Sequence, residues 1–502
     1  MKDKQLKVGA LLSYSAQIIH ILTALLYTPV LLRVLGQNEY GLYQLVYSII
    51  SYLPLLSSGF SSSYMKFYAQ RKKQDETEVA ELNGQFLIMF LFLVIITILS
   101  GFGMILKPEL VFGKGLATNE IDKLKILVAI MIANTSLNFV FGVFECYSLA
   151  NERFIFQNTL IVLSNLFSPL LTLPLILLGY GSVGIVAITT LVTFFKLIIE
   201  IVFCIRRLKI RFRIRHFGIR DFTEIWSFTV FVFISNIVFQ INNTIDSILL
   251  GRFIGTASVA IYGVAAQLVS VYKQLCSAIS RVFIPRIHIL ANQDDGHEQL
   301  SKVFISVGRI QTYLVGLLFL GMIVFGKQFI RLWAGDGYYD SYQILIILIS
   351  AEIVPCIQTI GIEIQRAYGR HKIQAIVFAL IAILNVLISI PAIRAWGTKG
   401  AAVGTSVAII LGYWFFQNYY YHKVIQIRII EFWKQIFRIV LAWIPCGICG
   451  FFVRFVELNR WVSLFGAIIL FSLVYVGSIG LIALSPSDKN AVKRFFNKVL
   501  GK

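Results

Sequence analysis

"VLGQNEYGLYQL" at residues 34–45 returns, in looser form, as "FIGTASVAIYGV" at 253–264. The pairing sets Gly36 against Gly255 and Tyr43 against Tyr262. Other pairs follow in the same order: "ANER" at 150–153 with "AYGR" at 367–370, Pro174 with Pro391, and "GSVGIVAITT" at 181–190 with "GTKGAAVGTS" at 397–406. Matches in one order at an offset of about 217 residues point to a duplicated chain. Internal repeats of this length are characteristic of transporter folds.

The bulk properties agree. The 502 residues are 58% hydrophobic and 14% charged, with a mean hydropathy of +0.79. A soluble chain of this size could not cover its surface with so few charges. Apolar runs of about 20 residues, the length a helix needs to cross the hydrocarbon core, recur throughout. Hydropathy places about fourteen spans, near 8–32, 39–65, 84–106, 124–147, 157–179, 182–205, 223–250, 256–280, 303–326, 341–364, 373–393, 399–421, 433–454 and 461–484. The fold class is therefore all-α, a polytopic membrane protein. The first span lacks a small-residue cleavage site and is expected to remain as a helix.

Each repeat holds six of these spans. An even number brings both repeats into the membrane from the same side, so they are parallel. The expected organisation is a six-helix lobe at 1–215 ending in a basic linker and a second six-helix lobe at 216–430. Two additional helices with a basic tail follow at 431–502.

The net charge of +20 is placed in a way that excludes nucleic acid as the explanation. Lys2, Lys4 and Lys7, "KFYAQRKK" at 66–73, "RRLKIRFRIRHFGIR" at 206–220, Arg366, Arg370, Lys372 and "KNAVKRFFNK" at 489–498 all fall on one side of the expected topology. That is the positive-inside bias of a chain with both termini in the cytoplasm. The stretch at 206–220 alternates charge with apolar residues, as a segment lying on an anionic inner leaflet would.

Polar residues inside the spans are the candidate site. With helices one and seven in register, Gln17 falls on Asn236, Thr23 on Asn242 and Tyr27 on Asp246. Ser13, Gln17, His20, Thr23 and Tyr27 share one helical face, and Asn236, Gln240, Asn243, Asp246 and Ser247 share another. Such groups serve either as hydrogen-bonding contacts between helices or as the wall of a hydrated cavity. The ionisable Asp246 and His20 favour the cavity, because a central charge facing lipid costs at least about 2.5 kcal/mol. Lys66, Lys273 and Arg309 lie toward cytoplasmic ends, where they snorkel to water or make a cavity mouth attractive to phosphate. Lys196, Glu200, Glu352 and Glu363 also fall in or near spans.

No HExxH, Walker loop or nucleophile elbow occurs, and the longest loop is about 20 residues, too short for a separate catalytic domain. "NQDDGHE" at 292–298 lacks calcium-loop spacing and reads as a turn. The six cysteines fall mostly in spans, and Cys446-x-x-Cys449 has no second ligand pair, so no metal site is expected.

The chain resembles the Wzx-type oligosaccharide flippases of the multidrug/oligosaccharidyl-lipid/polysaccharide (MOP) exporter superfamily over essentially its whole length. The resemblance rests on "PVLLRVLGQNEYGLYQLVYSI", "TIDSILLGRFIGTASVAIYGVAAQL", "LWAGDGYYDSYQIL" and "GTKGAAVGTSVA". It implies two six-helix lobes forming a V around a central cavity. It also implies the flipping, by alternating access, of an undecaprenyl-pyrophosphate-linked oligosaccharide toward capsule, O-antigen or exopolysaccharide. Lys66, Lys273 and Arg309 would attract the pyrophosphate. Gln17, His20, Thr23, Tyr27, Asn236, Gln240, Asn243 and Asp246 would line the substrate cavity. No cofactor is implied; a proton or sodium gradient would supply energy, with Asp246, Glu352 or His20 as candidate carriers. Expected partners are the lipid-linked oligosaccharide, membrane lipids and other polysaccharide assembly proteins, in the cell (inner or plasma) membrane. Two alternatives stand beside this: a multidrug extruder, which usually has twelve spans and an acidic cavity, and a lipid II flippase, which shares the fourteen-span architecture.

Overall fold

A computed structural model describes residues 2–502 except 74, 114–115, 214–218, 294–295, 454–455, 457 and 485–502. The basic tail at 489–498, part of the basic stretch at 206–220, the middle of "NQDDGHE" and the side chains of Lys2, Lys4 and Lys7 lie outside the described set. Among the described residues regular structure is helical throughout, with no strand. The first half runs α1 (Lys2–Ile50), α2 (Leu55–Arg71), α3 (Glu76–Leu106), α4 (Pro108–Phe112), α5 (Thr118–Ala150), α6 (Phe154–Leu177), α7 (Gly181–Arg206) and α8 (Ile219–Phe253). The second runs α9 (Thr256–Arg281), α10 (Ile284–Leu290), α11 (Gly296–Ala334), α12 (Ser341–Ile357), α13 (Thr359–Ala367), α14 (His371–Trp396) and α15 (Thr398–Ile409). After a π-helical turn at Ile410–Gln417 come α16 (Asn418–Lys423), α17 (Ile429–Leu441), α18 (Trp443–Val453) and α19 (Trp461–Ser478).

Eleven described helices are long and apolar enough to cross a membrane, or twelve if the pair α12 and α13, bent by 42°, counts as one span. The expected count of fourteen is not reproduced by this measure. One reason is local: the expected spans at 8–32 and 39–65 do not form two separate helices. The 49-residue α1 takes the first and the start of the second, broken only in its dihedrals at Gly36, and α2 resumes after Pro54. A proline lacks the donor that a continuing helix needs, which is why the second span falls into two pieces. Outward faces are apolar, as on α3, where Leu91, Phe92, Ile95, Ile98, Leu99 and Phe102 are exposed. In water such a surface would drive association; in a bilayer it faces lipid.

The duplication is written into the backbone. Gly36 and Gly255 both have positive φ, at 72° and 129°. Gly181 and Gly397, which open α7 and α15, do so at 55° and 60°. Between them Glu152 and Gly369 hold φ of 60° and 68° at the turns preceding α6 and α14. Three paired turns therefore adopt left-handed geometry, where glycine avoids the steric cost of a side chain. Glu152 carries that cost and its counterpart does not.

Contacts divide the chain into two compact units, Met1–Gly263 and Val264–Lys502. In the first, α2, α3 and α5 share a core of Phe60, Tyr64, Phe86, Phe90, Phe139 and Val143. Tyr64 and Phe86 meet edge to face with centroids 5.1 Å apart, and the Tyr64 hydroxyl donates to Asn83 Oδ1 at 2.6 Å. Asp75 caps α3, accepting from the Glu76 N–H at 2.6 Å; the Thr77 hydroxyl and that N–H hold its carboxyl below the usual range. Helix α8 packs in this unit, against α1 and α2.

In the second unit α11 is the axis. Phe432 of α17 fills the space left by Gly308, where a Cβ would collide with its ring. Phe471 of α19 packs edge-on against Phe325 at 5.5 Å, and the Tyr475 hydroxyl donates to the Tyr313 carbonyl at 2.9 Å. The last helices thus share the core of this unit instead of lying beside it. The bend between α12 and α13 is stabilised by side chains. Gln358 donates to Asn418 Oδ1 at 2.8 Å, while Asn418 donates to the Tyr413 and Trp414 carbonyls at 3.1 and 3.0 Å. Carbonyls freed by the π-helical turn are satisfied in this way, as backbone inside a bilayer must be.

Candidate translocation cavity

The first unit contains a cavity of about 570 Å³. Tyr43, Tyr47, Ser51, Ser57 and Ser61 reach it from α1, α2 and their junction. Asn134, Thr135, Asn138 and Glu145 line it from α5, Thr189 from α7 and Gln240 from α8; Phe90, Met131 and Phe139 supply apolar surface. Its wall therefore combines hydroxyls, amides, one carboxylate and two tyrosine rings stacked at 6.3 Å, Tyr43 on Tyr47. Asn138 donates to Asn134 Oδ1 at 3.0 Å, so the two amides are already oriented.

A seam of hydrogen bonds joins α2 and the α1–α2 junction to α8. Ser63 and Thr229 hydroxyls meet at 2.9 Å, Asn236 donates to Ser58 Oγ at 2.7 Å, Gln240 donates to Ser51 Oγ at 2.7 Å, and Thr244 donates to the Tyr52 hydroxyl at 3.0 Å. The α8 members recur every four or seven residues and so share one face. Gly59 lets the backbones close: a Cβ there would come within 2.5 Å of the Thr229 carbonyl oxygen. Small residues and paired hydroxyls are what draw helices together where there is no water to exclude.

The structure sorts the expected residues. Gln240 lines the cavity and joins the seam; Asn236 is in the seam alone. Asn243 is exposed and bonds back to the Phe239 carbonyl at 2.8 Å. Asp246 is buried at 3% exposure and accepts from the Tyr262 hydroxyl at 2.6 Å. On α1, Gln17, Thr23 and Tyr27 are half-buried and His20 is exposed; the cavity wall does not include them. Of the cations, Lys66 is exposed, with its ammonium 4.9 Å from the Phe67 ring centre. Arg309 donates to Gln435 Oε1 at 2.7 Å. Lys273 forms an ion pair with Glu352 at 2.8 Å, joining a residue expected to attract phosphate to one expected to carry an ion.

Asn134, Asn138 and Glu145 were not among the residues expected from sequence. Their spacing of four and seven is itself a helical face, with Gly142 between. The signal was present in "IANTSLNFVFGVFECY" at 132–147; amides on an otherwise apolar helix do not by themselves say whether they face a cavity or a neighbour.

A family model described as polysaccharide biosynthesis protein matches residues 6–291. The chain belongs to this family. Among its relatives is the "Putative O-antigen transporter" of Shigella flexneri, 22% identical, with 76% of this chain and 89% of the relative covered. The teichuronic acid biosynthesis protein TuaB of Bacillus subtilis is 25% identical over about a third of each chain, 31% of this one and 32% of the relative. Among solved structures, the lipid II flippase MurJ in an inward closed conformation superposes with a TM-score of 0.75 over 99% of this chain and 100% of that one, at 16% identity. The fold is thus that of the lipid II flippase structure, and the glycine-punctuated motifs that resemble Wzx-type flippases agree with the family match.

Proposed function

We propose that this protein flips a polyprenyl-pyrophosphate-linked oligosaccharide repeat unit from the cytoplasmic to the outer leaflet of the cell membrane, for assembly of a surface polysaccharide. The observation that carries the reading is the cavity between membrane-spanning helices, lined by Ser51, Ser57, Ser61, Asn134, Asn138, Thr189 and Gln240 beside the Tyr43–Tyr47 stack. Sugar hydroxyls moving through a bilayer lose water and need alternative donors and acceptors, since an unpaired polar group costs about 1–3 kcal/mol. Hydroxyls and amides offer both roles without fixed charge. The prenyl chain has no need of the cavity, because each methylene left in hydrocarbon saves about 0.8 kcal/mol over exposure to water.

Both termini lie in the cytoplasm in this reading, as the basic segments require. The pyrophosphate first meets cationic groups at the inner face. Lys66 is exposed at the surface, and Lys273 engages a phosphate by exchanging it for Glu352. The bond linking sugar to lipid is neither made nor broken, so the protein acts as a transporter and not as an enzyme. The energy source is an ion gradient.

Depletion of the protein tests the reading. Lipid-linked oligosaccharide is expected to accumulate, with its sugars shielded from enzymes added outside the cell. Intact surface polymer with new sensitivity to cationic drugs would overturn it in favour of an extruder.

A further inference from the structure

The first unit buries a carboxyl group that the flipping reading does not use. Glu200 of α7 is 0% exposed. Its Oε1 accepts from the Gln157 amide of α6, and its Oε2 has no hydrogen-bond partner among the described residues. The charged groups that bear on it are Glu145 from α5 and Lys196 from its own helix; the titratable thiols beside it are Cys146 of α5 and Cys204 of α7, both buried. Two other buried acids are compensated differently. Glu352 has the Lys273 ammonium at 2.8 Å, and Asp246 has the Tyr262 hydroxyl at 2.6 Å.

We propose that Glu200 is a proton-binding site of the first unit, filled and emptied by way of Glu145 on the cavity wall. One neutral amide does not compensate a buried carboxylate, whose desolvation costs several kcal/mol, whereas a neutral acid leaves only an ordinary polar group short of one hydrogen bond. The orphaned Oε2 is the atom on which a proton resides. Glu145 borders the cavity, and the carbonyl of its neighbour Phe144 accepts from the Cys204 thiol, one helical turn beyond Glu200, at 3.4 Å, so Glu145 supplies the step between cavity water and the buried acid. The exchange is simple: a carboxylate at Glu200 takes one proton from water through the Glu145 carboxyl and returns it the same way. A glycan displacing that water would isolate the loaded acid. This last link rests on the flippase reading; the proton site does not.

Infrared difference spectroscopy of the full-length protein in lipid, titrated across pH, tests the site without any substrate. Wild type is expected to show a protonated-carboxyl carbonyl band that is lost completely in Glu200→Gln, returns at a changed frequency in Glu200→Asp, and persists with an altered titration in Glu145→Gln. Superposable wild-type and Glu200→Gln spectra would overturn the proposal, provided both proteins elute as the same folded species. Proton movement in proteoliposomes on adding lipid-linked oligosaccharide then tests the linkage. Loss of that movement in Glu200→Gln, with oligosaccharide binding retained, is the supporting result. Failure of wild type to bind the oligosaccharide would count against the flippase reading alone, since the infrared band is read in its absence.

Discussion

The hairpins α6–α7 and α14–α15 hold equivalent places in the two repeats, and they pack differently. In the second, a Cβ at Gly400 would run into the Ala392 carbonyl, and one at Gly404 would run into Ser389. Within the first, a Cβ at Gly184 meets Tyr180 Cβ at 3.1 Å and Leu175 Cβ at 3.4 Å, tight but tolerable, and the position matching Gly404 is Ile188. The closer pair brings its polar groups into contact: Ser389 Oγ and Thr405 Oγ1 both donate to Asn385 Oδ1, at 2.7 and 3.1 Å. The looser pair aligns the matching Ser168 and Thr189 at 3.4 Å, and Thr189 lines the cavity while Thr405 is buried. Duplication preserved the path of the chain, and the size of a few residues decided which hairpin sealed and which kept a polar wall open.

Added volume is expected to cost most at the tight hairpin. Gly404→Leu is expected to cost about 3 kcal/mol, the upper end for overpacking, because both helix backbones would have to part. Gly184→Ala at the loose hairpin should cost less than about 1 kcal/mol. Thermal unfolding in detergent reads both, and equal losses would remove the distinction. Next is the ion pair of the second unit. Lys273→Ala leaves Glu352 buried and uncompensated, an expected loss of about 2 kcal/mol once the half-exposed lysine is allowed for. Adding Glu352→Gln should recover most of it, which a double-mutant cycle measures.

Smaller effects sharpen the backbone equivalence. Glu152→Gly should stabilise the protein by about 1 kcal/mol, since it removes a side chain from left-handed geometry that Gly369 adopts freely in the other repeat. Gly369→Glu should lose a similar amount. Least visible in stability are Asn134→Ala and Asn138→Ala, expected within about 0.5 kcal/mol of wild type yet defective in moving lipid-linked oligosaccharide. A stable variant that transports normally would take those amides out of the cavity's work.

Much of the fold was legible because helices and turns report locally. Glycines at 36, 181, 255, 369 and 397 mark places where the backbone turns through positive φ, and the paired motifs carried them into register. The site was legible only in part. Gln240 was expected and lines the cavity; the stripe of α1, at Gln17, His20, Thr23 and Tyr27, does not reach its wall. Polar spacing identifies a face of a helix without saying what covers it. Asn236 carries the same signal as a cavity amide and instead bonds Ser58.

By itself the sequence determined that the chain crosses a membrane many times and is built from a repeated unit, because hydropathy and turn chemistry depend on neighbours along the chain. Tertiary structure alone decided which polar groups meet. Lys273 with Glu352, Gln157 with Glu200 and Ser51 with Gln240 are each far apart in sequence. Whether a buried acid is compensated by a cation, by a hydroxyl or by a single amide follows from packing between helices, and that packing is set by volumes that no stretch of sequence contains alone.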